Sequence, residues 1–402
     1  MVSMAASTAS EASPATYSVR VHERVADVPA EVWAGFTGAS RASGTDYNPF
    51  ISHAFLSALE EAGCAVAQTG WHGQHLVLED AEGNALAAVP AFLKGHSQGE
   101  YVFDHAWADA WERAGGRYYP KLQCSVPFTP ATGPRLLVGP NVNAEAARAA
   151  LAGAIAQLTE RLGLSSAHVT FAQQQDMDAL VGAGFLHRTD QQFHFTNEGY
   201  GSYGEFLETL SSRKRKNLKK ERATAVENDI EIMWLTSSDI TEDALDAFYG
   251  FYTDTGSRKW GRPYLNRRFF SLVTERMAED ILLVMAVRGG RYIAGAINFI
   301  GGDTIFGRHW GCVEHHKFLH FEVCYHQAID FAIDRKLRIV EAGAQGEHKL
   351  ARGYLPVTTH SAHFIPHEGF RRAIADYLHH ERADVARFGE ILSDAAPFKK
   401  SG

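Results

Sequence analysis

Apolar positions along this chain alternate between two rhythms. With a period near 3.6, Phe55, Leu56 and Leu59 share one face behind Ser52, so a helix is expected over 53–62 with Ser52 as its cap. Segments 144–162, 241–253, 267–277, 320–335 and 370–392 read as further helices, and 28–36 as a short amphipathic one. Apolar runs bounded by glycine read as strands. One hairpin is expected from 75–78 and 85–92 around Glu82-Gly83-Asn84, another from 281–287 and 292–299 around Gly289-Gly290. Strands are also expected over 168–173, 192–196, 304–310 and 337–342, with Phe364 closing a last one. Segment 100–135 is dense in aromatics, Gly and Pro and reads as strand and long loop. Irregular chain of that length inside a compact domain is often functional.

The order of these elements repeats. Phe103-Asp104-His105-Ala106-Trp107 is echoed by Phe306-Gly307-Arg308-His309-Trp310, each after a hairpin. Gly184-Phe185 leads to His194-Phe195, as Gly353-Tyr354 leads to His363-Phe364. Three echoes in one order imply two copies of one α/β unit. The expected division is a disordered tail over 1–16, copies over 17–200 and 201–382, and a helix end and tail over 383–402. A cleft between or across the copies is where a small molecule would sit.

Composition narrows the class. At 402 residues with 45% hydrophobic and 21% charged content, the chain is ordinary globular protein long enough for two cores. A net charge of -8 argues against a nucleic-acid coat, so no DNA partner is expected. Cys64, Cys124, Cys312 and Cys324 form no CxxC pair and read as reduced thiols. The first sixteen residues lack the basic and apolar regions of a secretory signal, and no apolar run reaches membrane-spanning length. A cytoplasmic protein is expected. Histidines cluster late in the chain (His309, His315, His316, His320, His326, His348, His360, His363), but their spacing fits no established zinc pattern and no metal is assigned.

Segment 213–222 carries seven cations in ten residues. On a helix Arg213, Lys216 and Lys220 share a face, with Asn217 beside them, and make a candidate phosphate site. Aromatic walls with a few polar anchors suit a ligand pocket. That mixture occurs in Asp104, His105, Trp107, Tyr119, Lys121, Gln123, Thr132 and Arg135, in Lys259, Trp260, Arg262 and Tyr264, and in Arg308, His309 and Trp310. Gln345, Arg352 and Tyr354 join them as candidate substrate contacts around Lys349.

The basic stretch resembles the Lys/Arg-Asn-Leu/Ile-Lys-Lys helix of Fem-type transferases, and Gly346-Glu347-His348-Lys349-Leu350-Ala351-Arg352-Gly353-Tyr354 resembles their closing lysine-containing turn. Segments 104–121, 258–264 and 341–354 look like the FemAB-like predicted N-acyltransferases of the GNAT superfamily. The resemblance spans about 30–365. It implies tandem GNAT-like domains, α/β with α+β mixed sheets, and transfer of an aminoacyl group from charged tRNA to a peptidoglycan precursor. Acyl transfer needs a stabiliser for the oxyanion and a route for the amine's proton. Lys349 is the candidate for the first role, Glu347 or His348 for the second.

Two features depart from the wider pattern. No Gln/Arg-x-x-Gly-x-Gly/Ala loop is present to cradle a CoA pyrophosphate, Arg288-Gly289-Gly290-Arg291 reading instead as a hairpin turn. The helix after Arg213 is too short for the coiled-coil arm of some Fem enzymes. No permanently bound cofactor is expected, and the donor is either aminoacyl-tRNA or acyl-CoA. Two alternatives remain open: a CoA-dependent transferase acting on a small amine, and a non-catalytic binding protein on a retired transferase fold.

Overall fold

The computed structural model describes residues 17–260, 263–343 and 346–399, and of 257–260 and 347 the backbone only. Its strands are β1 (Ser18–His22), β2 (Trp71–Gly73), β3 (His75–Glu79), β4 (Ala85–Val89), β5 (Ala91–Lys94), β6 (Lys121–Cys124), β7 (Leu137–Val138), β8 (Ala167–Ala172), β9 (Leu186–Thr196), β10 (Ile230–Thr236), β11 (Ile281–Arg288), β12 (Arg291–Ile300), β13 (Thr304–Cys312), β14 (Ile339–Glu341) and β15 (Leu355–Phe364). The helices are α1 (Ala30–Thr37), α2 (His53–Glu61), α3 (His105–Arg113), α4 (Ala144–Arg161), α5 (Gln174–Gly182), α6 (Tyr203–Thr209), α7 (Ser212–Ala225), α8 (Glu242–Trp260), α9 (Arg267–Met277), α10 (Leu319–Phe321), α11 (Gln327–Asp334) and α12 (Glu368–Asp394).

Eleven strands form one mixed sheet in the order β10-β11-β12-β13-β14-β9-β15-β8-β6-β5-β2, and β1-β3-β4-β7 form a second. The order shows an exchange. The last strand of the first half, β9, pairs with β14 of the second, and β15 of the second pairs with β8 of the first. At the centre β9 and β15 pair antiparallel, with Asp190 opposite Thr359. These two residues lie at equivalent places in the echo, six past Gly184 and six past Gly353. A pseudo-twofold therefore passes between them.

Burial explains the exchange. Phe193 and Phe195 of β9 pack in the core of the second half with Leu282, Val284 and Ile305. Ala362 and Phe364 of β15 pack in the core of the first with Leu122, Leu151 and Val169. Each buried Phe is worth roughly 1.5–3 kcal/mol, so the exchange ties each strand to the other half's core. A third core joins the halves through Phe55 on Phe269 (5.6 Å between rings) and Phe50 on Phe299 (5.1 Å).

One of the three echoes matches in the sheet: the Gly-aromatic segments lead into β9 and β15, which pair at its centre. The expected hairpins both form, but β3 and β4 pair in the four-stranded sheet and β11 and β12 in the eleven-stranded one. The third echo does not match either. Phe306–Trp310 lies on β13, but Trp107 lies on α3. Trp107 and Trp111 are four apart, so a helix puts both on one face. There Trp107 meets His363 (4.9 Å) and Trp111 stacks on Phe370 of α12 (4.6 Å). The expected helix over 320–335 is also interrupted, since a π-helical turn, Glu322–His326, separates α10 from α11.

Candidate active site

β13 runs parallel to β14 only from Thr304–Ile339 to Phe306–Glu341. Beyond that point β13 follows β12 as far as Cys312, while the other chain turns away through Ala342 and Gly343. A cavity of ≈ 360 Å³ lies in this fork. Ala296 and Asn298 of β12 and Gly307, Arg308, His309 and Trp310 of β13 form its floor. Tyr252, Thr255 and Gly256 of α8, with Pro263 and Tyr264, form one wall; His320, Cys324 and Tyr325 form another. Gly99, Tyr101, Phe103 and Pro130 of the first half close the third side.

The polar groups of the cavity are few and unusual. The Arg308 guanidinium donates to the carbonyl of Phe128 and has Tyr101 beside it. Among the described residues no ion pair reaches it, and burial lowers its pKa. His309, against the Tyr252 ring at 4.9 Å, is pushed down to about 3 by burial and by Arg308, so it is neutral at pH 7. Asn298 is 1% exposed; its Nδ2 donates to the carbonyls of Leu282 and Ala296 (3.3 and 3.5 Å), and its Oδ1 has no partner. One layer behind Arg308, Glu341 accepts from the Thr132 N–H at 3.4 Å. Burial pushes its carboxyl up to about 8 against the pull of that hydrogen bond, Arg135 and Arg308, so it is mostly neutral at pH 7.

Lys349 is 2% exposed. Its ammonium donates to the carbonyls of Ala342 (2.5 Å) and Gly343 (2.8 Å), two residues of the cavity wall. Burial lowers its pKa to about 8. It thus holds the strand end that opens the fork. His348 takes the Tyr325 hydroxyl at 3.0 Å. Tyr354 is buried and donates to the Tyr325 carbonyl. Arg352 is bidentate on Glu221 of α7 (2.8 and 2.7 Å) and lies 3.5 Å over the Phe321 ring. Gln345 and Arg262, and the side chains of Glu347, Lys259 and Trp260, lie outside the described residues.

The basic helix α7 has an anchored face and an open one. On the anchored face Glu221 takes His326 and Arg352, while Arg222 pairs with Glu322 (2.7 Å) and Asp330 (2.6 Å). On the other, Arg213, Lys216, Asn217 and Lys220 are exposed.

The expected contacts from segment 100–135 divide differently. Asp104 is buried on Lys121 (2.5 Å) and Tyr118 (2.7 Å), and Tyr119 bonds Ser97. Burial pushes the Asp104 carboxyl up, but the Lys121 and His168 charges outweigh it and hold it low. Gln123 bonds Thr170, Trp107 packs on His363, and His105 is exposed against Phe103. None of these expected contacts lines the cavity. Segment 100–135 does meet the 263–264 wall, through Phe128 stacked on Tyr264 at 4.9 Å. Tyr101, Phe103 and Pro130 line the cavity and Phe128 stacks on its wall; the sequence points to this segment as a pocket without singling these residues out, and it does not single out Asn298 or Tyr252. One signal was present: Asn298 is a lone amide in the otherwise apolar run Ala296-Ile297-Asn298-Phe299-Ile300. Tyr101 and Phe128 have φ of 63° and 59°, rare for bulky residues and invisible to periodicity.

The first half has its own parallel pair, β6 with β8. There the fork is filled. After Cys124 the chain leaves the eleven-stranded sheet over 125–136 and joins the four-stranded one as β7, beside β4. Within this excursion Gly133 pairs with Ala172. Arg135, fully buried, donates to the carbonyls of Thr170, Ala131 and Pro134. The plug's other side, at Pro130 and Phe128, builds the wall of the open cavity.

Two such units, each with a parallel pair in the middle of its sheet, define a tandem GNAT fold. A family model for FemAB-like proteins, described as peptidoglycan biosynthesis/recognition, matches residues 24–400, and the chain belongs to that family. The fold is similar to the crystal structure of FemX, at 11% identity and a TM-score of 0.53, covering 87% of this chain and 98% of that one. It is similar also to the C-terminal domain of a putative lysylphosphatidylglycerol synthetase from Agrobacterium fabrum, at 9% identity and a TM-score of 0.52, covering 86% and 95%. A tandem GNAT protein from the clavulanic acid biosynthesis pathway matches at 10% identity and a TM-score of 0.46, covering 87% and 98%. No curated protein matches the chain. No described helix is long and apolar enough to cross a membrane, and no described cluster of His, Cys, Asp or Glu could hold a metal.

Proposed function

We propose that the chain is an N-acyltransferase that carries an activated acyl or aminoacyl group to an amine at the β13/β14 fork. The observation that carries this is the open fork itself, a cavity with aromatic walls and a guanidinium that has no ion-pair partner among the described residues. Arg308 is placed to offset charge on a carbonyl oxygen as the amine attacks, and Lys349 acts one step back by holding Ala342 and Gly343 in place. Neutral His309, with its pKa near 3, is too weak a base to keep the amine's proton and can only accept a hydrogen bond from it; His348, bonded to Tyr325 of the cavity wall, is the proposed route for that proton. The exposed cations of α7 are the proposed phosphate contact of a donor or precursor.

Segment 313–318, which follows β13, offers Glu314, His315, His316 and Lys317 where a pyrophosphate cradle would need glycines. That favours aminoacyl-tRNA over acyl-CoA as donor, with a peptidoglycan precursor as acceptor in keeping with the family, and a cytoplasmic reaction. The test is transfer from charged tRNA and from acyl-CoA to peptidoglycan precursors and small amines, read by product mass, with Gly307→Val as control. A Cβ at Gly307 meets its neighbours at an ordinary 3.5 Å, so the strand accepts a side chain there, and valine's methyls are expected to occupy the fork. Product formation that G307V abolishes supports the reading. Consumption of no donor, or equal turnover by G307V, overturns it.

A further inference from the structure

The sides of the cavity are held in different ways. α8 and the π-helical turn belong to hydrophobic cores, through Phe248 and Phe251 on one side and Val323 and Tyr325 on the other. The third side, formed with Pro130 by segment 97–104 between β5 and α3, does not. No residue of 95–104 belongs to a hydrophobic core, although Leu93 before it packs on one and Trp107 after it belongs to another. The segment holds no strand or helix.

Its residues divide by side. Gly99, Tyr101 and Phe103 line the cavity, and Phe103 is 55% exposed. Ser97, Glu100 and Asp104 turn instead to two buried lysines. Lys121 donates to Ser97 Oγ (2.7 Å) and Asp104 Oδ2 (2.5 Å) and lies 3.5 Å from Glu100. Lys94 lies 3.7 Å from Glu100 and donates to the Gln98 carbonyl (3.0 Å). Tyr101 has φ 63°, a conformation that costs a bulky residue on the order of 1–3 kcal/mol and persists only where its surroundings enforce it. Burying ions in place of apolar groups adds little stability, because desolvation offsets their attraction. It does change what opening exposes. Lifted from the lysines, this segment gives carboxylates and a hydroxyl to water rather than apolar surface.

We propose that segment 97–104 is a lid over the cavity, hinged at β5 and α3, with Lys121 as the positioning residue of its closed state. Closed, it sets Tyr101 beside Arg308. Open, it widens a cavity of ≈ 360 Å³, near the small end of ligand sites, for a ligand larger than its reacting end. That this ligand is an acyl donor or acceptor rests on the transferase reading; that the segment opens does not.

Native-state hydrogen exchange on the full chain provides the test, with two buried amides as reporters. The Phe128 N–H is bonded to the Gly99 carbonyl at 3.0 Å and is freed when the lid lifts. The Leu122 N–H is bonded to the Ser166 carbonyl at 2.9 Å and is freed only when the sheet opens. Phe128 is expected to exchange at least about 10-fold faster than Leu122, at a rate that low denaturant hardly changes, because a small opening exposes little surface. Leu122 exchange should rise with each increment of denaturant. Ser97→Ala removes only the hydroxyl that Lys121 and Tyr119 share, and should raise the Phe128 rate about 10-fold. The comparison of the two amides in the unmodified protein needs no variant to fold. Equal rates with equal denaturant slopes, or a Phe128 rate that Ser97→Ala leaves unmoved, overturns the proposal. Opening in a chain that transfers no acyl group would leave the lid standing and remove the transferase reading. Acyl transfer by a chain whose two amides exchange alike would do the reverse.

Discussion

Two parallel strand pairs, β6/β8 and β13/β14, occupy corresponding places in the two halves and come to opposite ends. In the first, segment 125–136 leaves the sheet and fills the gap, with Arg135 giving its donors to three main-chain carbonyls. In the second, β13 continues unbroken and the gap stays open, with Arg308 giving one donor to a carbonyl and facing the cavity. The same residue type is held by three main-chain carbonyls at one fork and by one carbonyl and Tyr101 at the cavity of the other. One copy has become scaffold, and its plug doubles as a wall for the other copy's cavity.

The sharpest way to break this comparison is at Arg135. Arg135→Met should leave three buried carbonyls without a donor and cost roughly 3–5 kcal/mol of stability, measured by denaturant unfolding. A loss below about 1 kcal/mol would mean that the plug is not held by this side chain. Gly307→Val at the open fork should behave oppositely, costing little stability while turnover falls by on the order of 10²–10³. If both variants lose stability alike, the two forks are equally structural.

Glu341 lies where the plug meets the open fork, and it makes the comparison sensitive to pH. Its folded pKa, about 8, is above the ordinary carboxylate value, so the folded state holds a proton that the unfolded chain has released. Stability should therefore fall as pH rises from about 4.5 to about 8, by on the order of a few kcal/mol. Glu341→Gln should flatten the melting temperature across that window. An unchanged slope would put the source elsewhere.

The smallest effect is expected on the open face of α7. Lys216→Glu with Lys220→Glu should leave stability within about 0.5 kcal/mol, because the anchoring residues are Glu221 and Arg222. Binding of charged tRNA or a phosphate-bearing precursor should weaken, more so at low salt, where screening is least. Affinity that ignores both charge and salt would make the helix ordinary surface.

What the sequence by itself determined is what local physics controls. The Gly289-Gly290 hairpin forms because both residues take positive φ, 55° and 73°, as a two-residue turn requires. The duplication was legible because β9 and β15 repeat one pattern, a Gly-aromatic pair that leads to a His-Phe pair. Only the tertiary structure decided that these strands cross into each other's sheets, since the preference lies in which distant core receives Phe195 and Phe364. The same holds for the site. Nothing adjacent to Arg135 or Arg308 in the chain says which will find carbonyls and which a cavity, and nothing near Trp107 in sequence places His363 and α12 against it. Those outcomes depend on what the rest of the chain brings within hydrogen-bonding or packing distance, and neither periodicity nor composition encodes a distance between residues far apart in sequence.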